Sequence, residues 1–194
     1  MNVNPVSDSE VISDVLAGNS RAYAVLISRY QHMVFTLAVR MLGNRELAEE
    51  TTQDVFVKVY NSLEKFRGES KFSTWLYRVA YHRILDASRR ETRQTGDFIS
   101  GGLDIRSLGT NESTWDCLMT KERRDILVSV LAQLSTEENS IISLYYLQEM
   151  SVKEISEIIN LGQSAVKVRL FRAREHLRSL LEGTTQGALL KTYI

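Results

Sequence analysis

Residues that break helices are rare in this chain and are concentrated in a few places. The 194 residues include a single proline, Pro5, close to the N-terminus. Four of the ten glycines fall between positions 96 and 109. Long segments without such punctuation favour helices over strands. We therefore expect an all-α protein that is interrupted once, near the middle of the sequence.

The composition allows a real core but limits the kinds of site. Apolar residues make up 43% and charged residues 25%, which is ordinary for a globular protein. The formal net charge is zero, so any binding of nucleic acid must depend on local patches. The lone cysteine, Cys117, excludes an internal disulfide framework and a multi-cysteine zinc site.

The histidines His32, His82 and His176 are scattered and have no neighbours at metal-ligand spacing. We therefore expect no metal, no cofactor and no catalytic residues, and an enzyme is the least favoured class. The sequence has no apolar run long enough to cross a membrane and no signal-peptide pattern at its start. A cytoplasmic setting is the resulting expectation.

Apolar residues in the N-terminal half recur at spacings of three and four, which predicts amphipathic helices. After a short helix that ends at Gly18, the expected helices run from Ser20 to Gly43, from Arg45 to Leu63 and over 74–90. The expected N-cap residues are Ser7 or Ser9 for the first helix, Asn44 for the third and Ser73 for the fourth.

The fourth of these helices is apolar on nearly all sides, which is typical of a helix buried on several faces. It also carries four arginines, Arg78, Arg83, Arg89 and Arg90. One interpretation is a central core helix whose arginines extend to solvent. The other is a surface where aromatic rings beside cations hold unstacked bases. The helix alone favours neither.

From about residue 92 to 113 the periodicity disappears and Gly, Ser, Thr and Asn accumulate, which indicates a linker between domains. The sequence therefore predicts two small helical domains joined by a flexible linker. The predicted boundaries are 1–92 for the first domain, 93–114 for the linker, 115–182 for the second domain and 183–194 for a loosely structured tail.

The second domain has the layout of a helix-turn-helix. Helices are expected from Trp115 to Leu134 and from Thr136 to Leu147. A short helix capped by Ser151 then leads through the turn Asn160–Gly162 into a long helix. One stripe of that long helix is apolar, formed by Val166, Leu170, Ala173, Leu177 and Leu180.

The start of the second helix in such a motif enters the major groove of DNA. The residues expected to point outward there are Gln163, Ser164, Lys167, Val168 and Phe171. Gln and Ser side chains can read base edges, and a lysine can reach guanine. A solvated amphipathic helix with ordinary basic flanks is the plainer alternative.

A second candidate surface lies in the N-terminal half, between Phe66 and Arg90. Arg67, Lys71 and Arg78 are interleaved there with aromatic residues, namely Phe66, Phe72, Trp75, Tyr77 and Tyr81. This mixture suits the binding of single-stranded nucleic acid. The acidic residues between Glu46 and Asp54 suit a basic protein partner, or are simply a solvated helix N-terminus.

The chain resembles the extracytoplasmic-function sigma factors, a family of the sigma-70 superfamily. The resemblance rests on LAEETTQDVFVKVY and FSTWLYRVAYHRILD in the first domain, and on EMSVKEISEIINLGQSAVKVRLFRAREHLRSLL in the second. It covers roughly residues 15–90 and 115–181. It implies a four-helix promoter-melting domain, region 2, and a helix-turn-helix domain, region 4, that recognises the minus-thirty-five element.

The resemblance also implies a role for each surface. Binding of core RNA polymerase, on the clamp helices of its largest subunit, would fall to Asp54, Val55, Phe56, Lys58 and Tyr60. Recognition and melting of the minus-ten element would fall to Lys65, Phe66, Arg67, Gly68, Lys71, Phe72, Trp75, Tyr77, Arg78 and His82. Recognition of the minus-thirty-five duplex would fall to Gln163, Ser164, Lys167, Val168 and Phe171, with phosphate contacts from Arg169, Arg172 and Arg174.

By the same resemblance the partners are core RNA polymerase, promoter DNA and an anti-sigma factor on a separate chain, which in that family is often membrane-anchored. The chain departs from the family pattern at His82, Ser135, Asn139 and the turn 160–165. A helix-turn-helix repressor or activator that is not a polymerase subunit is the alternative function. It would account for the C-terminal half but does not require FSTWLYRVAY.

Overall fold

The protein is described here by a computed structural model that covers residues 6–95, 130–131 and 133–182. These ranges contain helices and no strand, which confirms the all-α prediction. The N-terminal helices are α1 (Asp8–Leu16), α2 (Tyr23–Leu42), α3 (Arg45–Ser62) and α4 (Phe72–Thr95). The C-terminal helices are α5 (Thr136–Ile142), α6 (Val152–Ile159) and α7 (Gln163–Glu182).

Side-chain caps define the starts of several helices. Ser7 caps α1 and Asn44 caps α3, where the Asn44 Oδ1 accepts a hydrogen bond of 3.0 Å from the Leu47 amide. Ser135 and Ser151 each form a capping box with a glutamate three residues later, at the starts of α5 and α6. These bonds satisfy amide groups that the first helical turn leaves unpaired. Ser7, and not Ser9, is therefore the first cap.

Some helix limits differ from the prediction. The Lys71 carbonyl accepts a 3.2 Å bond from the Trp75 amide, so α4 begins at Phe72 and Ser73 lies inside it. The same helix continues to Thr95, because nothing between Arg90 and Gly96 breaks a helix. Short 3₁₀ turns, Ser20–Ala22 and Leu63–Lys65, replace helical residues at the start of the second predicted helix and the end of the third.

The predicted helix over 136–147 changes its hydrogen bonding partway along. Its first seven residues form α5, and Ser143–Leu147 continue as a π-helix. The predicted helix from Trp115 lies outside the described residues except near its end. Cys117, most of the predicted linker and the tail after Glu182 also lie outside them, so the domain boundaries stay a prediction.

Helix α4 is the central element of the fold. Its residues Leu76, Ala80 and Ile84 are completely buried. It packs against α2 and α3 on one side, and against α5 and α6 on another. The core-helix interpretation is therefore correct for most of α4, and Tyr77 and Tyr81 are part of that core. Its arginines reach outward, and Arg83 forms a 2.7 Å ion pair with Asp54 of α3.

The N-terminal and C-terminal helices meet in one continuous apolar core. Polar contacts across this interface are specific. The Asn139 amide donates to the Arg40 carbonyl at 3.0 Å, and the hydroxyls of Ser88 and Thr136 lie 3.2 Å apart. The two sets of helices are thus joined by packing as well as by the chain.

In the turn before α7, the residue in the left-handed conformation is Asn160 and not Gly162. Asn160 adopts the left-handed conformation, with φ 55° and ψ 48°, and ends α6. Gly162 follows it, and its carbonyl accepts a 3.1 Å bond from the Val166 amide at the start of α7. Asparagine tolerates the left-handed region better than other non-glycine residues. The atypical turn therefore keeps a residue suited to its geometry.

The left-handed conformation of Asn160 predicts that two substitutions at this position differ in their effect on stability. Asn160→Gly should leave the free energy of unfolding within about 0.5 kcal/mol of the original, because glycine reaches positive φ freely. Asn160→Val should lower it by roughly 1–2 kcal/mol, because a β-branched residue is strained there. Urea denaturation of both variants measures the difference. Equal stabilities would contradict the assigned turn.

Candidate nucleic-acid interface

The loop before α4 is held in place by a cluster of aromatic rings. The Phe66 ring centroid lies 5.5 Å from those of Phe72 and Trp75, and Phe72 lies 5.5 Å from Tyr30. Such tilted and edge-to-face pairs stabilise beyond the area they bury. Phe72 is buried, whereas Phe66 and Trp75 are only partly buried. The cluster therefore anchors the loop and keeps two aromatic side chains near the surface.

A cavity of about 500 Å³ opens beside this cluster. Its lining residues are Lys65, Phe66, Arg67, Glu69, Ser70, Thr74, Trp75, Arg78 and Glu157. Lys65, Arg67 and Arg78 are exposed at the cavity, and Lys71 is exposed nearby. Gly68 turns the loop with φ 73°, a conformation that favours glycine. Half-buried aromatic rings next to exposed cations suit an unstacked base and its phosphates.

Two residues predicted for this surface lie inside the protein. Phe72 is buried and packs against the rings of Phe66 and Trp75. Tyr77 is only 2% exposed and is covered by the C-terminal helices. Burial raises the pKa of Tyr77 above its usual value, so its hydroxyl stays protonated and donates to the Gln148 side chain. Both side chains are almost completely buried. Spacing within one helix does not show this, because Tyr77 is covered by the C-terminal helices and Phe72 packs on Tyr30 of α2.

His82 lies farther along α4, on its exposed side. Partial burial and the nearby Arg78 guanidinium lower the pKa of His82 below its usual value. The imidazole is therefore mainly neutral at pH 7, and offers a hydrogen-bond donor and an acceptor rather than a positive charge.

An apolar groove of about 400 Å³ runs between α2 and α3. Its lining residues are Tyr23, Ile27, Gln31, Thr52, Gln53, Phe56, Val57 and Tyr60. Val57 is 61% exposed and Tyr60 44% exposed, so the two side chains form an exposed apolar patch at the groove, a feature that marks interaction sites. The groove is a surface on which an apolar partner can dock.

Residues predicted to bind the polymerase divide into surface and interior positions. Asp54, Lys58 and Tyr60 are exposed, and Phe56 is mostly buried but forms part of the groove. Val55 is completely buried, so its predicted role as a surface contact is incompatible with its position. The sequence analysis did not include Val57 among the polymerase contacts, although its spacing of three from Tyr60 places both residues on one helix face.

The long helix of the helix-turn-helix presents a mixed outer face. Val166, Leu170 and Ala173 are buried, as the predicted stripe requires. The opposite face exposes the polar residues Gln163, Ser164 and Lys167 near the helix start. Two large apolar side chains on that face are also exposed, Val168 and, at 62%, Phe171. Exposed apolar groups beside polar ones suit the floor of the major groove.

The three arginines predicted to hold phosphates differ in their surroundings. Arg172 is exposed, and Arg169 forms a 3.2 Å ion pair with Glu137 of α5. The Arg174 guanidinium lies over the rings of Tyr145 and Tyr146, 5.2 and 5.3 Å from their centroids, and donates a 2.6 Å bond to the Tyr146 hydroxyl. Arg174 therefore ties α7 to the π-helix.

The described ranges 6–95, 130–131 and 133–182 contain no group of His, Cys, Asp and Glu side chains that could hold a metal ion. Within the same ranges, no helix is long and apolar enough to cross a membrane.

The neighbouring valines of α3 provide a direct test of these placements. Val57→Asp should change the free energy of unfolding by about 0.5 kcal/mol or less, because the side chain is exposed. Val55→Asp should lower it by about 4 kcal/mol or more, because the carboxylate would be buried without a partner. Thermal and urea denaturation measure both, and similar losses would contradict the orientation of α3.

Comparisons with known proteins agree with this architecture. The family model for Sigma-70 region 2 matches residues 26–94, and the model for Sigma-70, region 4 matches residues 124–177. Among solved structures, CnrH in complex with the cytosolic domain of CnrY has a TM-score of 0.64 at 24% identity, over 92% of this chain and 99% of that one. RpoE of Bartonella quintana, in complex with the anti-sigma factor NepR, has a TM-score of 0.63 at 20% identity, over 83% and 97%. Both show the same fold.

Curated relatives extend over nearly the whole sequence. The ECF RNA polymerase sigma factor SigW of Bacillus subtilis is 31% identical over 88% of this chain and 94% of its own length. The ECF RNA polymerase sigma-E factor of Escherichia coli K12 is 29% identical over 88% and 92%. Together with the fold and the two matched regions, this similarity shows that the chain belongs to the extracytoplasmic-function sigma factors of the sigma-70 family.

Proposed function

We propose that this sigma factor binds core RNA polymerase and directs initiation at promoters through contacts with both a minus-ten and a minus-thirty-five element. The observation that supports the proposal is that one chain carries two surfaces of different chemistry, each suited to a different form of DNA. One is the aromatic and cationic cavity beside α4, and the other is the exposed face of α7. The first suits single-stranded DNA and the second suits a duplex.

The cavity beside α4 is the proposed site for the non-template strand of the minus-ten element. Extruding a base from a duplex costs a few kcal/mol, which stacking and hydrogen bonding in a pocket offset. Phe66 and Trp75 supply rings at the cavity, and Arg67 and Arg78 supply charge for the backbone. Phe72 contributes by supporting these rings. The predicted domain from 1 to 92 would thus act as the melting domain.

The proposed minus-thirty-five contacts lie on α7. Gln163, Ser164 and Lys167 can form hydrogen bonds with base edges, while Val168 and Phe171 can contact thymine methyl groups. Lys167 and Arg172 are exposed and well suited to phosphates. Arg174 has a positioning role in this proposal, because its guanidinium is already held by two tyrosines.

The apolar groove between α2 and α3 is the proposed docking site for core polymerase. Grooves of this kind accept the apolar face of a partner helix. Val57, Tyr60 and Phe56 supply the apolar contacts, and Asp54 and Lys58 supply charges at the edge. Binding to polymerase would hold both DNA surfaces at one promoter, so that each needs only modest affinity.

Control by a separate anti-sigma protein is part of the proposal. The solved structure of RpoE contains its anti-sigma factor NepR, and that of CnrH contains the cytosolic domain of CnrY. A similar partner of this chain would block initiation by covering the apolar groove. A cytoplasmic, non-enzymatic role follows from the proposed task. The alternative role as a free repressor leaves the groove and the cavity unexplained.

The duplex contact predicts a change in salt dependence. Lys167→Ala should weaken binding of a minus-thirty-five duplex selected from a random library, and lower the slope of log K against log salt by about 0.9 if one phosphate contact is lost. Arg178→Ala, on the same helix but paired with Glu182 at 3.4 Å, is the control. Identical slopes for Lys167→Ala and the original would reject the phosphate contact.

The proposed single-strand contact predicts that loss of the Trp75 ring impairs promoter melting but not binding to core polymerase. Trp75→Ala should leave the affinity for core polymerase unchanged but slow open-complex formation by about tenfold or more, because stacking contributes about 1–3 kcal/mol per base. Permanganate footprinting follows the melting, and a pull-down follows polymerase binding. Trp75→Phe should recover most of the melting. Parallel loss of both activities would instead indicate disruption of the aromatic cluster.

A further inference from the structure

The loop beside the cavity has no regular backbone structure of its own. Residues 66–71 form neither helix nor strand, and Gly68 turns them through a left-handed conformation. Side-chain packing therefore determines where the Phe66 ring lies. Phe72 provides this packing, because its buried ring has its centroid 5.5 Å from that of Phe66 and 5.9 Å from that of Trp75. The arrangement of the two half-buried rings thus depends on what holds Phe72.

Tyr30 of α2 is a further aromatic neighbour of Phe72. Their ring centroids lie 5.5 Å apart, and the two planes meet at 64°. This is an edge-to-face pair, one of the arrangements that aromatic rings prefer. Tyr30 is half-buried and is not among the residues that line the cavity. Its ring therefore supports Phe72 without itself facing a bound strand.

The hydroxyl of Tyr30 is held by Asp8, in the first turn of α1. It donates a hydrogen bond to Asp8 Oδ2, while Asp8 Oδ1 accepts a 2.7 Å bond from Arg29. Both carboxylate oxygens are thus engaged by consecutive residues of α2. Burial and the nearby Asp8 carboxylate raise the pKa of Tyr30 to about 12, so its hydroxyl is protonated and donates at neutral pH.

Helix α1 is held on the other helices in a position that makes this contact possible. It packs against α2, and its buried residues are Val11, Ile12 and Val15. Arg29 also donates to the Val6 carbonyl, just before the helix. A helix of nine residues is not stable alone in water, so α1 depends on these contacts for its order. Once docked, it presents the Asp8 carboxylate to Tyr30 at a defined place.

We propose that Tyr30 and Asp8 are positioning residues for capture of the minus-ten strand. Asp8 fixes the Tyr30 hydroxyl, and the Tyr30 ring supports Phe72. Phe72 in turn holds the two rings that stack on an extruded base. This inference rests on the proposed function of the cavity. Rings that are already in place need not be ordered when the strand binds, which favours binding.

The first measurement follows the Trp75 ring in the absence of DNA. The chain has two tryptophans, so Trp115→Phe leaves Trp75 as the single fluorophore. In this background, Tyr30→Leu should raise the rate constant for acrylamide quenching of Trp75 by about twofold, because Phe72 loses an aromatic contact. Tyr30→Phe keeps the ring and should produce a smaller increase.

The second measurement is open-complex formation by the full chain with core polymerase, followed by permanganate footprinting. Tyr30→Leu should slow it about tenfold, which is comparable to the loss of one stacking contact. The affinities for core polymerase and for the minus-thirty-five duplex should stay within about twofold, because both surfaces lie elsewhere. Tyr30→Phe should recover most of the rate and remain about threefold slow, because only the hydroxyl bond is lost.

Arg29→Ala is the matched control for the role of Asp8. It removes the 2.7 Å ion pair with the same carboxylate but leaves the Tyr30 bond, so melting should stay within about twofold of the original. Asp8→Ala should slow melting about threefold, as Tyr30→Phe does. The double variant should be no slower than either single variant, because both remove the same bond.

Three results would overturn the proposal. They are unchanged melting by Tyr30→Leu, additive losses in the double variant, and equal effects of Arg29→Ala and Asp8→Ala. If Tyr30→Leu does not fold, the other two single variants decide, and normal melting by both Tyr30→Phe and Asp8→Ala rejects the proposal. If Tyr30→Leu increases the quenching of Trp75 but Trp75→Ala melts promoters normally, the ring contacts stand and the proposed function of the cavity fails.

Discussion

Burial of α4 on two sides is the constraint on which the rest of the structure depends. Leu76, Ala80 and Ile84 have no exposed surface, because α2 and α3 pack on one side and α5 and α6 on another. The hydrophobic effect provides the dominant stabilisation of such a core. A helix that belongs to two sets of neighbours also couples them. Any movement of the C-terminal helices exposes apolar surface on α4 and breaks the bonds of Asn139 and Tyr77.

This shared helix relates the three candidate surfaces to one another. The loop that leads into α4 carries the aromatic cluster and its cavity, and Arg83 of α4 is paired with Asp54 near the groove. The exposed face of α7 lies on the C-terminal set, which docks on α4 through α6. A polymerase that binds the groove would therefore hold the cavity and the recognition helix at the same promoter. The family membership and the geometry point to the same task.

Much of the local structure could be predicted from the sequence, because it depends on neighbours along the chain. The caps at Asn44 and Ser151, and the buried stripe through Val166, Leu170 and Ala173, follow from residue type and helical spacing. The positions of Tyr77 and Phe72 could not be predicted, because they depend on helices distant in sequence. The surface role of Val55 was implied by the resemblance and not by helical spacing, and the structure buries this side chain completely while it exposes Val57. The stacking of Arg174 on two tyrosines, and the π-helix that presents them, left no pattern that spacing could reveal.

The central claim is that this chain selects promoters for core RNA polymerase through two separate DNA contacts. Run-off transcription by purified core polymerase on a promoter library, with and without the chain, tests it most directly. The account predicts transcripts that start at defined positions only when the chain is present, and that disappear when either the minus-ten or the minus-thirty-five element is scrambled. Transcription that does not depend on the chain, or no initiation at any template in the library, would contradict it.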